Sequence, residues 1–77
     1  MLHTFTDPAG VTHTRNSVRQ FTACVMVDLG REVDEYEVRS WHGTLEAAET
    51  AADTLQRWAD TKGAALGVRY MTAAVAL

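Results

Sequence analysis

The sequence predicts an α+β fold, in which an antiparallel β-sheet of four to five strands carries one helix packed on one face. Three observations predict it. Apolar and polar residues alternate through 21–29 and 34–41, apolar residues recur at spacings of three and four through 45–62, and turn residues separate short apolar segments. The order along the chain is therefore β-β-β-β-α-β. We expect residues 1–77 to form a single domain, because a chain of this length builds one small core.

Residues 1–14 are predicted to form an N-terminal hairpin. Asp7, Pro8 and Gly10 form a strong turn signal, because Asp suits the first position of a turn, Pro fixes φ at the second and Gly closes it. Short segments rich in threonine and apolar residues flank this turn on both sides. Their composition is typical of paired strands.

Residues 20–41 are predicted to form a central antiparallel hairpin. Its first strand alternates from Phe21 to Leu29, and Gly30 then breaks the pattern. In the second strand Tyr36 and Val38 point inward, while the charged residues between them point outward.

The helix is predicted over 45–62. Thr44 is a favourable N-cap, and Glu46 and Glu49 suit the positive end of the helix dipole. Gly63 follows the last turn, as glycine commonly does at a helix C-terminus. The apolar stripe that should face the sheet consists of Leu45, Ala48, Ala51, Ala52, Leu55, Trp58 and Ala59.

A final strand is predicted over 65–77, with its place in the sheet left open. One helix covers only one face of such a sheet, so the other face should be exposed. The residues expected there are Cys24, Met26, Trp41, Met71 and Val75. An exposed apolar patch usually marks an interface, and this one suggests a homodimer through Cys24, Met26 and Met71.

The net charge of −3 is unevenly distributed, because residues 28–60 carry nine acidic side chains against three arginines. Glu32, Asp34, Glu35 and Glu37 are concentrated in the central hairpin. They either keep a solvated hairpin soluble or bind a basic surface on a partner. Trp41, just after this cluster, is either a core residue or an anchor in the interface.

No pattern for catalysis, a metal or a cofactor stands out. Ser17, Ser40 and Cys24 lack a histidine and an acid at recognisable spacing. A four-residue turn would place His3 and His13 on opposite faces of the hairpin, so exposed histidines are expected rather than a metal site. We expect the protein not to be an enzyme.

An alternative function is a small nucleic-acid-binding or regulatory module, which would use Arg15, Arg19, Lys62 and Arg69. An acidic chain with so few basic residues disfavours it. The sequence has neither the pattern of a signal peptide nor an apolar run long enough to span a bilayer, so a cytoplasmic location is expected.

Residues 4–15 (TFTDPAGVTHTR), the following hairpin, and Trp41-His42-Gly43-Thr44 opening an alanine-rich helix together resemble small orphan proteins of phages and prophages of high-GC bacteria. The similarity covers most of the chain and lies in its composition and order of elements. It implies a non-enzymatic inhibitor of a host complex, of the anti-CRISPR type. Such a protein would bind a host protein or nucleoprotein complex with a basic surface, in the cytoplasm of the bacterial host. A dimeric structural or assembly protein is a further alternative.

Overall fold

The computed structural model describes residues 1–29, 35–62 and 68–76. These residues form five strands and one helix in the predicted order, so the α+β fold class is confirmed. The elements are β1 (Leu2–Thr6), β2 (Thr12–Asn16), β3 (Ala23–Asp28), β4 (Tyr36–His42), α1 (Leu45–Lys62) and β5 (Arg69–Ala74).

The strands are divided between two antiparallel sheets, where the sequence suggested one. β1 and β2 form a two-stranded hairpin, and β3 lies between β4 and β5 in a three-stranded sheet. The backbones of Thr4 and Ala76 exchange two hydrogen bonds, with N···O distances of 2.8 and 3.0 Å. This single antiparallel bridge ties the N-terminal hairpin to the chain just beyond β5.

One face of the three-stranded sheet packs on α1 through small side chains. Ala23 and Val25 of β3 form a buried cluster with Ala48 and Ala52 of the helix. Because alanine side chains are short, the helix axis can approach the sheet closely. The predicted apolar stripe is confirmed at the centre of the helix.

Two larger residues of that stripe do not enter the core. Leu45 is 50% exposed and Trp58 is 58% exposed, so the prediction that these two side chains face the sheet is wrong. Trp58 lies about 100° around the helix from the buried Ala59, which turns it to one side of the contact. Leu45 is the first residue of the helix, at the end of this contact.

Thr44 caps the helix as predicted. Its Oγ1 accepts a hydrogen bond from the backbone N–H of Ala47 at 3.1 Å, and its carbonyl accepts the first helical bond from Ala48 at 3.2 Å. The predicted glycine stop at Gly63 lies outside the described residues.

The register of the N-terminal hairpin differs from the expected one. The backbone N–H of Asp7 donates to the carbonyl of Val11, which closes a five-residue turn in which Gly10 has a φ of 88°. His13 therefore lies opposite Phe5, and His3 lies on the same face of the hairpin as His13. The prediction of opposite faces is wrong because the turn is one residue longer than assumed.

The sheet face opposite the helix is not open, contrary to the expectation for Cys24 and Met26. Cys24 is fully buried and Met26 is only 6% exposed. Trp41, Met71 and Val75, which were also expected on an exposed face, are half-buried.

The N-terminal hairpin lies along that face. At one end His3 contacts the ring of Phe21, which precedes β3, with ring centroids 5.2 Å apart. At the other end the turn meets the start of β4, since Asp7 lines a cavity with Tyr36. The hairpin therefore spans β3 lengthwise and covers Cys24, which the sequence pattern alone could not reveal.

Candidate protein-binding site

The acidic side chains of the central hairpin are only partly within the described structure. Glu32 and Asp34 lie outside the described residues, whereas Glu35 and Glu37 are exposed. Glu37 forms an ion pair with Arg39 at 3.3 Å, and both side chains are about half exposed. The positive charge of Arg39 therefore offsets part of the acidity expected here, although an exposed pair of this kind is worth little in stability.

Trp41 is part of the packing beneath the N-terminal hairpin. It pairs with Cys24 across the sheet, so both side chains point to the face that the hairpin covers. Its ring centroid lies 6.3 Å from that of Phe21. Of the two interpretations left open by the sequence, the half-buried position of Trp41 favours the core residue.

A second acidic feature lies on α1. Glu46, Glu49, Asp53 and Asp60 share one side of the helix, and Gln56 occupies the remaining position at the same spacing of three and four residues. We call these five residues the acidic stripe. The spacing of these acidic residues is visible in the sequence, but Glu46 and Glu49 were interpreted only as residues that suit the positive end of the helix dipole.

Gln56 shows that the acidic stripe faces the outer edge of β5. Its Oε1 accepts a hydrogen bond from the backbone N–H of Tyr70 at 2.8 Å, and its Nε2 donates to the carbonyl of Val68 at 3.3 Å. The same Nε2 lies 3.0 Å from Oδ1 of Asp60. These contacts hold the helix and the strand together along one side of the molecule.

An open groove of about 660 Å³ lies between β5 and the part of the acidic stripe formed by Glu46, Glu49 and Asp53. This volume is in the range of ligand-binding clefts, ~300–1,000 Å³. The charged side chains among the described residues that line it are all acidic: Glu46, Glu49 and Asp53. The nearby Arg57 pairs with Asp53 only at 3.9 Å and on an exposed surface, so its neutralising effect is small.

Asp7 has a structural role in the hairpin turn. One carboxylate oxygen accepts the backbone N–H groups of Ala9 and Val11 at 2.9 and 3.0 Å, and the other lies 2.7 Å from Nε2 of His13. Desolvation would raise the pKa of Asp7, but the bonds from His13 and the two N–H groups outweigh it and lower the pKa. The ionised carboxylate therefore stabilises the conformation of the turn.

His3 and His13 were expected to be exposed, and the structure shows otherwise. His3 is fully buried, and its Nε2 accepts a hydrogen bond from the backbone N–H of Phe21 at 3.0 Å. Its Nδ1 is buried with no hydrogen-bond partner among the described residues. The two histidines share a face of the hairpin, but His3 bonds to Phe21 and His13 to Asp7.

Ser40 and His42 form a pair that sequence reasoning missed. Two residues apart on β4, they point to the same side, and Ser40 Oγ lies 2.7 Å from His42 Nε2. A serine and a histidine at this distance are the first two parts of a nucleophilic site. In the described parts of the chain, however, His42 has no carboxylate partner to orient it, so the pair does not form a triad.

Two of the basic residues proposed for nucleic-acid binding, Arg15 and Arg69, lie near opposite ends of β3. The guanidinium of Arg15 stacks over Phe21 at 5.2 Å, just before β3 begins. Arg69 lies opposite Asp28 in the register of β5 with β3, at the other end of β3. Residues 21 and 28 of an extended strand are ~23 Å apart, so these two arginines cannot contact the same phosphates.

The described surface offers a partner the acidic side chains of the groove and the backbone edge of β5. In residues 1–29, 35–62 and 68–76, no group of three or more His, Cys, Asp or Glu side chains is placed to hold a metal ion. No helix in the same ranges is long and apolar enough to cross a membrane. Comparison with protein-family models, curated proteins and solved structures found no match.

Proposed function

We propose that this protein is a small non-enzymatic protein-binding module that recognises a basic surface on its partner. The observation that carries the proposal is the groove beside β5, which Glu46, Glu49 and Asp53 line with negative charge. Such a surface attracts a basic partner over a distance and accelerates association. Glu35 and Glu37 of the central hairpin form a second, smaller acidic surface.

In its more specific form, the proposal is a phage- or prophage-encoded inhibitor of a host complex, acting in the bacterial cytoplasm. Its support is the resemblance of residues 4–15 and 41–44 to small proteins of that kind. Through its acidic groove, the protein would bind and block a basic surface of the host complex that otherwise holds nucleic acid. The net charge of −3, with only seven Lys and Arg residues, weighs against direct nucleic-acid binding as the alternative.

Affinity capture from a bacterial lysate, followed by mass spectrometry, tests the proposal. The wild-type protein is compared with a groove variant, Glu46→Gln/Glu49→Gln/Asp53→Asn, which removes three charges with little change of shape. Glu35→Gln/Glu37→Gln is the matched control at the central hairpin. Circular dichroism establishes that all three proteins are folded.

We expect the wild type to capture a protein or complex with a basic surface, and the groove variant to lose it. Capture that is lost only in the Glu35→Gln/Glu37→Gln control would move the site to the hairpin. A partner retained by both variants, or one whose binding is insensitive to salt, would contradict an acidic binding surface.

A further inference from the structure

The outer edge of β5 is open in its middle. Backbone N–H groups alternate in direction along a strand, and those of Tyr70 and Ala76 point away from β3, towards Gln56 and Thr4. The groups of Thr72 and Ala74 therefore also point outward. Among the described residues they meet no hydrogen-bond partner, because β5 is the edge of its sheet. An unpaired edge of this kind is a template for another strand.

Gln56 shows how that edge is satisfied elsewhere. Its side-chain amide bonds the carbonyl of Val68 and the N–H of Tyr70, which are the two groups that one residue of an added parallel strand would bond. The edge is thus closed by Gln56 on one side and by Thr4 on the other. Between them lies an open stretch centred on Thr72, and it faces the groove.

We propose that β5 accepts an extended, basic segment of a partner protein as an added strand, which lies in the groove beneath the acidic stripe. This inference rests on the proposed function and names the partner of the same site. Backbone hydrogen bonds to Thr72 and Ala74 supply affinity, and the carboxylates of α1 supply the preference for Lys or Arg.

The spacing of the charges sets the pattern of the partner. Glu46 and Asp53 are seven residue steps apart in the helix, which is ~10 Å along its axis. Side chains on one face of a strand are ~6.6 Å apart, so two or three basic residues at alternate positions match this length. The side chains between these basic residues lie on the opposite face of the added strand, away from the acidic stripe.

The same charges oppose a second copy of this chain on the edge. Two β5 strands paired side by side would bring two acidic stripes close together, each with Glu46, Glu49 and Asp53. Like charges in such an arrangement repel. A basic segment of a different protein is therefore the occupant that the edge and the groove both favour.

The test uses a nine-residue peptide with Lys at every second position and Val or Thr between, and measures its affinity for the intact protein by calorimetry. Two further peptides carry backbone N-methyl groups, either on the odd-numbered or on the even-numbered amides. Only one of these sets faces β5, so one methylated peptide should bind like the parent and the other at least about tenfold more weakly.

Two protein variants test the same geometry from the other side. Thr72→Pro removes the outward N–H, at an edge position where proline is tolerated, and should weaken binding about tenfold or more. Thr72→Val keeps this N–H and should bind like the wild type. The methylated peptides keep the test valid even if Thr72→Pro proves unstable, because they use the wild-type protein.

Equal binding of both methylated peptides would overturn strand addition. If the peptides still lose their binding to the Glu46→Gln/Glu49→Gln/Asp53→Asn variant, the acidic groove is still the binding site. In that case only the inference that the peptide adds to β5 as a strand is wrong. No binding of the parent peptide at millimolar concentration would also overturn the inference, whereas lysate capture separately decides the proposed function.

Discussion

Labelling of the native protein with a thiol reagent tests the covered face of the sheet directly. Burial raises the pKa of the Cys24 thiol to about 11 from an ordinary value of 9.0. The thiolate is the reactive form, and two pKa units make its fraction about 100-fold smaller at pH 8. Cys24 is also fully buried, so the reagent needs at least a local opening of the hairpin.

We therefore expect Cys24 to react with a chromogenic disulfide at pH 8 at least about 100-fold more slowly in the native protein than in urea. Asp7→Ala, which removes the acceptor of three hydrogen bonds in the turn, should loosen the hairpin and accelerate labelling. Thr14→Ala, on the exposed side of the same hairpin, is the control and should not. Native labelling within tenfold of the unfolded rate would refute the covered face.

Three further predictions concern stability. Because the pKa of Asp7 is lowered in the folded protein, its ionised form stabilises the fold above about pH 4, and this contribution is lost as pH falls through the folded-state pKa. The urea midpoints of Asp7→Asn and the wild type should therefore differ at pH 7 and converge at acid pH. A difference that stays constant with pH would contradict the role of the carboxylate. His3→Ala should lower the free energy of unfolding by about 2–4 kcal/mol, because it leaves a cavity and an unpaired N–H of Phe21, and a loss below about 1 kcal/mol would be inconsistent with that bond. Thr44→Ala should cost about 1 kcal/mol by thermal denaturation, with Thr54→Ala in mid-helix as the comparison.

Short-range patterns in the sequence predicted the strands and the helix of this fold. Alternation in 21–29 predicted β3, spacing of three and four predicted α1, and Thr44 predicted its start. These signals survive because strand and helix periodicities depend on residues close together in the chain. The turn was located correctly, but the register of the hairpin was not predicted. The turn includes Val11 as a fifth residue, and this shifts every pair of residues beyond it by one.

The candidate site was only partly predictable. An acidic surface was foreseen in the central hairpin, of which Glu35 and Glu37 are described and exposed. The groove was not, because it requires knowing that β5 lies beside α1 with its outer edge towards Gln56. The pair of Ser40 and His42 was likewise missed, although residues two apart on a strand share a face.

The sequence by itself determined the class of the fold, the order of its elements and the acidic balance of the chain. Only the tertiary structure decided that the N-terminal hairpin covers Cys24, that β5 pairs with β3, and that the helix aligns its carboxylates with an open strand edge. The physical reason is that local periodicity specifies which face of an element is apolar. What covers that face depends on contacts between residues distant in the chain, such as Thr4 with Ala76.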